Sequence, residues 1–346
     1  MNRLFTMRSK TGRFSFLVDR KTVVILTVLF VCTAAGLILS IQAGSKTISF
    51  IDVVQTLLGQ GTPDNKLVIG TLRMPRVILA VLVGAALSVS GALLQGVVRN
   101  PLASPDIIGI TGGAAFAAVA FITYTAGAVS VRWLPLAAFC GAALVSALIY
   151  FLAWNKGVTS TRLVLIGIGV AATTSALTML MLILSPITAA SKAYIWMTGS
   201  IYGASWENVY SLLPWVLIFI PLALLYARNV NVQELGDDMA RGLGASVQLH
   251  RVILLFISVA LAGSAVAVAG AIGFIGLIAP HIARKLVGSA HGGLIPVAAL
   301  IGSLMLLLAD TVARTLFQPQ DIPAGVFTAS IGAPFFIYLL YKNRNQ

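Results

Sequence analysis

The chain has 346 residues, 58% hydrophobic and 10% charged, with a net charge of +13. Soluble domains carry about a quarter charged residues, so this composition, with a mean hydropathy of +0.97, excludes a largely soluble protein. The basic balance is explained by the positive bias of cytoplasmic loops and calls for no nucleic-acid partner.

Residues 1–21 are basic and no small-residue cleavage site follows them, so they are expected to form a cytoplasmic tail, with 22–346 as one membrane domain. Charge-free runs give the spans in order: 22–45, 77–98, 107–131, 133–155, 163–191 and 208–227. The second is 22 residues long, enough to cross a core of roughly 30 Å, and opens behind Arg73, Pro75 and Arg76. Gly84, Ser88, Ala92 and Gly96 lie four apart along it and predict a bare face for close helix packing. The run 163–191 is too long for one crossing and is expected to break near Ser185-Pro186.

The run 252–283 holds 32 charge-free residues, or about 48 Å of helix. That is too long for one crossing, so two helices joined by a glycine turn are predicted. The segments 294–309 and 322–341 complete an all-α polytopic membrane protein of about ten helices. With both termini cytoplasmic, sixteen of the 23 basic residues fall inside. The outside seven are Lys46, Lys66, Arg73, Arg76, Arg132, Lys192 and Arg314. Arg76-Val77-Ile78-Leu79 recurs as Arg251-Val252-Ile253-Leu254, the pattern of an inverted repeat, with chance as the competing reading.

The chain has no phosphate-cradling G-x-x-x-x-G-K-[ST] loop and no H-E-x-x-H or G-x-S-x-G motif, so no enzyme, cofactor or metal site is expected. Cys32 and Cys140 read as small core residues, and His281 as structural. Asp310 is the only acid within the predicted helical core. A buried carboxylate is a functional candidate by default. Arg314, four residues on, can pair with it on one helix face, and that structural pair is favoured over a proton relay. Arg73, Arg76 and Arg314 cluster at outward helix ends. They read either as interfacial cations or as a docking surface for carboxylates. The segment 228–251 is a polar stretch in which Val232, Leu235, Met239 and Leu243 have helical spacing, with a hinge expected at Gly242 and Gly244.

Several motifs carry a resemblance. They are the R-x-P-R start at Arg73, Asn100-Pro101-Leu102, Trp196-x-x-Gly199-Ser200, Gly273-Phe274-Ile275-Gly276 running on to Arg284, and Ile322-Pro323-Ala324-Gly325. Together these resemble the FecCD-like permeases, type II ABC importers of ferric siderophores, haem and cobalamin. The resemblance implies a multi-pass bacterial cell-membrane protein that imports a ferric siderophore, with cobalamin or haem as the alternative cargo. It implies a second permease chain, identical or related, two ATPase subunits that use the ATP, and an extracytoplasmic substrate-binding protein. An ion-coupled secondary transporter is the different-class alternative, supported by Asp310 and the repeat. By resemblance Arg73, Arg76 and Arg314 dock the binding protein, and Leu235, Gly236, Asp237, Ala240, Leu243 and Gly244 form the ATPase-coupling segment. Asn100, Leu102, Ser160 and Thr161 match the inner gate, with the hydroxyl order departing from cobalamin-type members.

Overall fold

The structure, a computed structural model, describes residues 4–8, 15–44, 47–125, 128–318 and 320–342. Of the basic residues counted above, Arg3, Lys10, Arg13, Lys46 and Arg344 lie outside the described residues. Part of the expected tail forms a hairpin, β1 (Leu4–Arg8) antiparallel to β2 (Ser15–Asp19), which leads into α1 (Arg20–Gln42). The Asp19 carboxylate accepts from the Lys21 amide at 3.1 Å and caps that helix. The connection after α1 carries two short helices, α2 (Phe50–Leu57) and α3 (Pro63–Leu67), each started by a hydroxyl cap, Ser49 and Thr62.

A π-helical turn over Val68–Arg73 joins α3 to α4 (Met74–Val98), so one helical run covers Pro63–Val98. The span therefore starts well before Val77, where charge counting placed it. Arg73, which is buried, and Arg76, which is half-buried, are both hydrogen-bonded and do not end the helix. Then follow α5 (Ile110–Thr125), α6 (Leu134–Ala153), α7 (Ser160–Leu184) and α8 (Ile187–Met197), the last two divided at Ser185-Pro186 as expected. Next come α9 (Trp206–Leu225), α10 (Ala227–Glu234), α11 (Asp237–Gly242), α12 (Val247–Ala269), α13 (Ile275–Val287), α14 (His291–Leu316) and α15 (Ala324–Lys342). The predicted glycine turn falls between α12 and α13, with Gly270 at φ 70°. Among the described residues seven helical runs are long and apolar enough to cross a membrane, and Ile110–Thr125 and Ala324–Tyr338 are shorter apolar helices.

The helix α4 is the axis of the bundle, with 83% of its apolar window buried. Lipid is as apolar as leucine, so contact between membrane helices depends on close van der Waals approach. The sequence supplies it. A Cβ added at Gly84 would fall on the Gly302 carbonyl of α14, and one at Gly91 on the Gly276 carbonyl of α13. At Gly96 it would strike Val230 of α10. The predicted stripe of small residues is thus the face against α14 and α10. Across another face, Ser90 of α4 and Ser258 of α12 donate to each other's carbonyls at 2.9 and 3.3 Å.

Candidate functional site

The two ends of α4 carry separate charged networks, about 35 Å apart along the helix from Arg76 to Arg99. At the arginine end, Arg76 sits between two carboxylates. Its Nη2 lies 2.8 Å from Asp310 Oδ1 and its Nη1 2.7 Å from Asp321 Oδ2. Asp310 is 1% exposed, in the last third of α14. Arg314 Nε stands 3.7 Å from Asp310, while its Nη2 donates to the Ser40 carbonyl and its Nη1, at 3.0 Å, to that of Ala43. The pair expected within α14 is therefore secondary. Asp310 is held chiefly by Arg76 from α4, because the closer guanidinium can reach both carboxylate oxygens.

Arg73 is buried and donates to the carbonyls of Ile41 (2.6 Å) and Gln42 (3.0 Å), fastening the end of α1 to α4. All three arginines predicted to cluster do so, and all three guanidiniums are engaged within the chain. They line a cleft of about 880 Å³ together with Tyr202, Gln318 and Asp321. The Tyr202 ring covers the Arg76 guanidinium at 5.8 Å.

At the opposite end, Arg99 closes α4 in the left-handed region, φ 58°. The Asn100 side chain accepts from the Leu102 amide at 2.9 Å, which makes Asn100-Pro101-Leu102 a self-capped turn. Ser160, first residue of α7, donates to the Val97 carbonyl at 2.9 Å. Three of the four residues matched by resemblance to a gate are thus gathered at the end of α4, with Thr161 exposed beside them.

The segment expected to couple to the ATPase departs from its expected helical spacing and hinge. Its helical spacing is broken at Gly236, φ 105°, which separates α10 from α11; of the predicted hinge only Gly244, φ 79°, has positive φ. Its acids divide between inward and outward positions. Asp237 turns inward between Arg251 (2.9 Å) and Arg99 (3.3 Å), and Glu234 meets Arg284 at 3.2 Å. Asp238 stays exposed, as do Leu235, Met239 and Leu243, at 54%, 63% and 67%. Ala240 is fully buried, and its small side chain lets α11 lie close to the bundle.

Four site residues escaped the sequence reading. Asp321 lies outside any predicted span, and Arg251, Arg284 and Gln95 looked like loop cations or span filler. Arg251 is 1% exposed and donates to the Val158 carbonyl as well as to Asp237. Gln95 donates to the Leu277 carbonyl at 3.2 Å and accepts from Arg284 at 3.4 Å. The available signal was scarcity: with ten acids in the whole chain, each one deserved a cationic partner.

Segments at or beside three of the motifs that carried the resemblance meet in space. The Ser200 amide donates to the Ala269 carbonyl at 2.8 Å, and the Gly325 amide to the Gly199 carbonyl at 3.0 Å. A Cβ at Gly325 would collide with Thr198, and one at Gly270 with Trp196. Three segments far apart in sequence thus form one close-packed junction. Over residues 32–342 the sequence matches the FecCD transport family.

The chain belongs to the FecCD transport family.

This FecCD chain is 49% identical, over 95% of its length and 97% of the relative's, to the Bacillus subtilis (strain 168) protein named "Probable siderophore transport system permease protein YfhA". It is 44% identical to the Iron(3+)-hydroxamate import system permease protein FhuG of the same organism, over 93% of this chain and 98% of that one. Among solved structures it is similar to an inward-facing transporter described as of the metal-chelate ABC type. The TM-score is 0.83 and the identity 32%, covering 92% of this chain and 99% of that one. The FecCD family is one of transport proteins, and the apolar helices agree with a multi-pass membrane protein.

Proposed function

We propose that this chain is the permease subunit of a bacterial ABC importer that carries a ferric siderophore across the cell membrane. Its relatives are named for siderophore and ferric-hydroxamate transport. The observation that carries the mechanism is the two-ended α4. One end places Arg73, Arg76 and Arg314 around an open cleft suited to the carboxylates of a substrate-binding protein. The other end ties the gate turn at Asn100 and Leu102 to the coupling segment through Arg99 and Asp237. ATP is used by two partner ATPase subunits that receive Leu235, Met239 and Leu243 on their surface. A second permease chain completes the pathway, and both termini face the cytoplasm.

Asp310 supports this reading over ion coupling. A proton carrier needs a carboxylate that is free to exchange, and Asp310 is held by Arg76 and Arg314 with 1% exposure.

The deciding experiment is ATP-dependent uptake of labelled ferric siderophores, ferric citrate, haem and cobalamin. It uses vesicles that hold the permease with its ATPase and binding protein. Uptake of a ferric chelate that needs ATP and the binding protein is the expected result. Uptake driven by an ion gradient without ATP overturns the ABC reading, and uptake of haem or cobalamin alone overturns the cargo.

A further inference from the structure

A groove runs along α6 on the side facing α9 and α12. Its first part, about 560 Å³, opens at the ends of the helices, where Trp133 and Trp196 line it and Arg132 and Glu207 stand at the rim. Its second part, about 330 Å³, is almost wholly apolar and is lined by Ala143, Ala147, Phe151, Phe256 and Ala260. Phe139 and Trp215 border both parts, with ring centroids 4.7 Å apart, and make the waist between them. From Leu134 to Phe151, α6 rises about 26 Å, most of a hydrocarbon core of roughly 30 Å. Ala143 and Ala147 of α6 and Ala260 of α12 leave room between the larger side chains that line the same channel.

The rim has a definite charge pattern. Arg132 and Glu207 are 3.2 Å apart, and their side chains are 78% and 68% exposed. Both stand at the start of membrane-spanning helical runs, Val131–Ala153 and Trp206–Leu225, where headgroups lie. Tryptophan at this level favours the boundary between water and hydrocarbon. One cation and one anion side by side complement a headgroup that itself carries one of each. The apolar channel below complements a hydrocarbon tail.

We propose that this groove is a binding site for a zwitterionic phospholipid. The phosphate meets Arg132, the headgroup ammonium meets Glu207, and one acyl chain passes the Phe139–Trp215 waist to lie along Ala143 and Ala147. The site is separate from both charged ends of α4 and does not depend on the cargo.

The test uses the intact assembled transporter, freed of lipid in detergent and titrated with phosphatidylethanolamine whose acyl chains carry bromine, a contact quencher of tryptophan. Saturable quenching is expected. Arg132→Ala and Glu207→Ala should each raise the half-quenching concentration about tenfold, the equivalent of one charge-assisted contact. Ala147→Phe, which fills the tail channel, should abolish the saturable phase. The rim substitutions are at exposed positions, so they report even if the filled channel prevents folding. Brominated phosphatidylglycerol quenching at equal concentration overturns the headgroup assignment. Quenching that never saturates, or that survives both rim substitutions unchanged, overturns the site. So does an absence of quenching in the intact assembly, the result expected if a second permease chain covers the groove.

Discussion

Arg76 of α4 holds Asp310 and Asp321 at once, 2.8 and 2.7 Å away, and so joins the buried end of α14 to the loop that precedes α15. The two carboxylates differ in exposure, with Asp310 at 1% and Asp321 at 23%. The first is a fixed structural partner. The second lies at the cleft wall, where an incoming group can compete with it.

Removing the buried partner should be expensive. Asp310→Ala leaves Arg76 short of a carboxylate and Arg314 without its nearest one, and breaking a buried pair by one partner costs about 3–5 kcal/mol. Asp310→Asn keeps the shape and some hydrogen bonds and should cost less. Denaturant unfolding of the purified permease checks both, and equal stability of wild type and Asp310→Ala would show that the pair contributes nothing.

Removing the exposed partner should act on docking instead. If a carboxylate of the binding protein competes with Asp321 for Arg76, then Asp321→Asn should raise binding-protein affinity about fivefold, through loss of the competing charge. Titration of the reconstituted transporter with fluorescently labelled binding protein gives the number. A drop in affinity would mean that Asp321 positions Arg76 for its partner.

At the opposite end, Asp237 connects α11 to Arg251 of α12 and to Arg99 beside the Asn100-Pro101-Leu102 turn. Asp237→Asn should let the coupling segment move without carrying that turn. Coupling free energies are typically worth a factor of about 5–150, so chelate transported per ATP hydrolysed should fall about fivefold or more while hydrolysis continues. An unchanged ratio would remove Asp237 from the coupling route.

Glycines on α4 and α7 give a matched contrast. At Gly91 a Cβ meets the Gly276 backbone, which cannot swing away, so Gly91→Ala should cost roughly 1–3 kcal/mol through overpacking. Gly169 in α7 has open space where its Cβ would stand, so Gly169→Ala should be neutral or gain about 0.5–1 kcal/mol from helix propensity. Unfolding in mixed micelles compares the two, and equal effects would contradict the packing seen around α4.

By itself the sequence determined the membrane class, the break at Ser185-Pro186, the glycine turn near Gly270 and the small-residue face of α4. These are local or periodic properties: a charge-free length, a proline, a run of residues spaced by one helical repeat. It also placed Arg73, Arg76 and Arg314 together, because helix ends on one side of a membrane must meet in one plane. Tertiary structure alone decided which charge neutralises which. Asp310 lies four residues from Arg314 and 234 from Arg76, yet Arg76 holds it, because α4 and α14 touch through Gly84 and Gly302 and bring that guanidinium within reach. Asp237 turns inward for the same kind of reason. Arg251 is 1% exposed, and a buried cation draws in whichever carboxylate the fold brings near it.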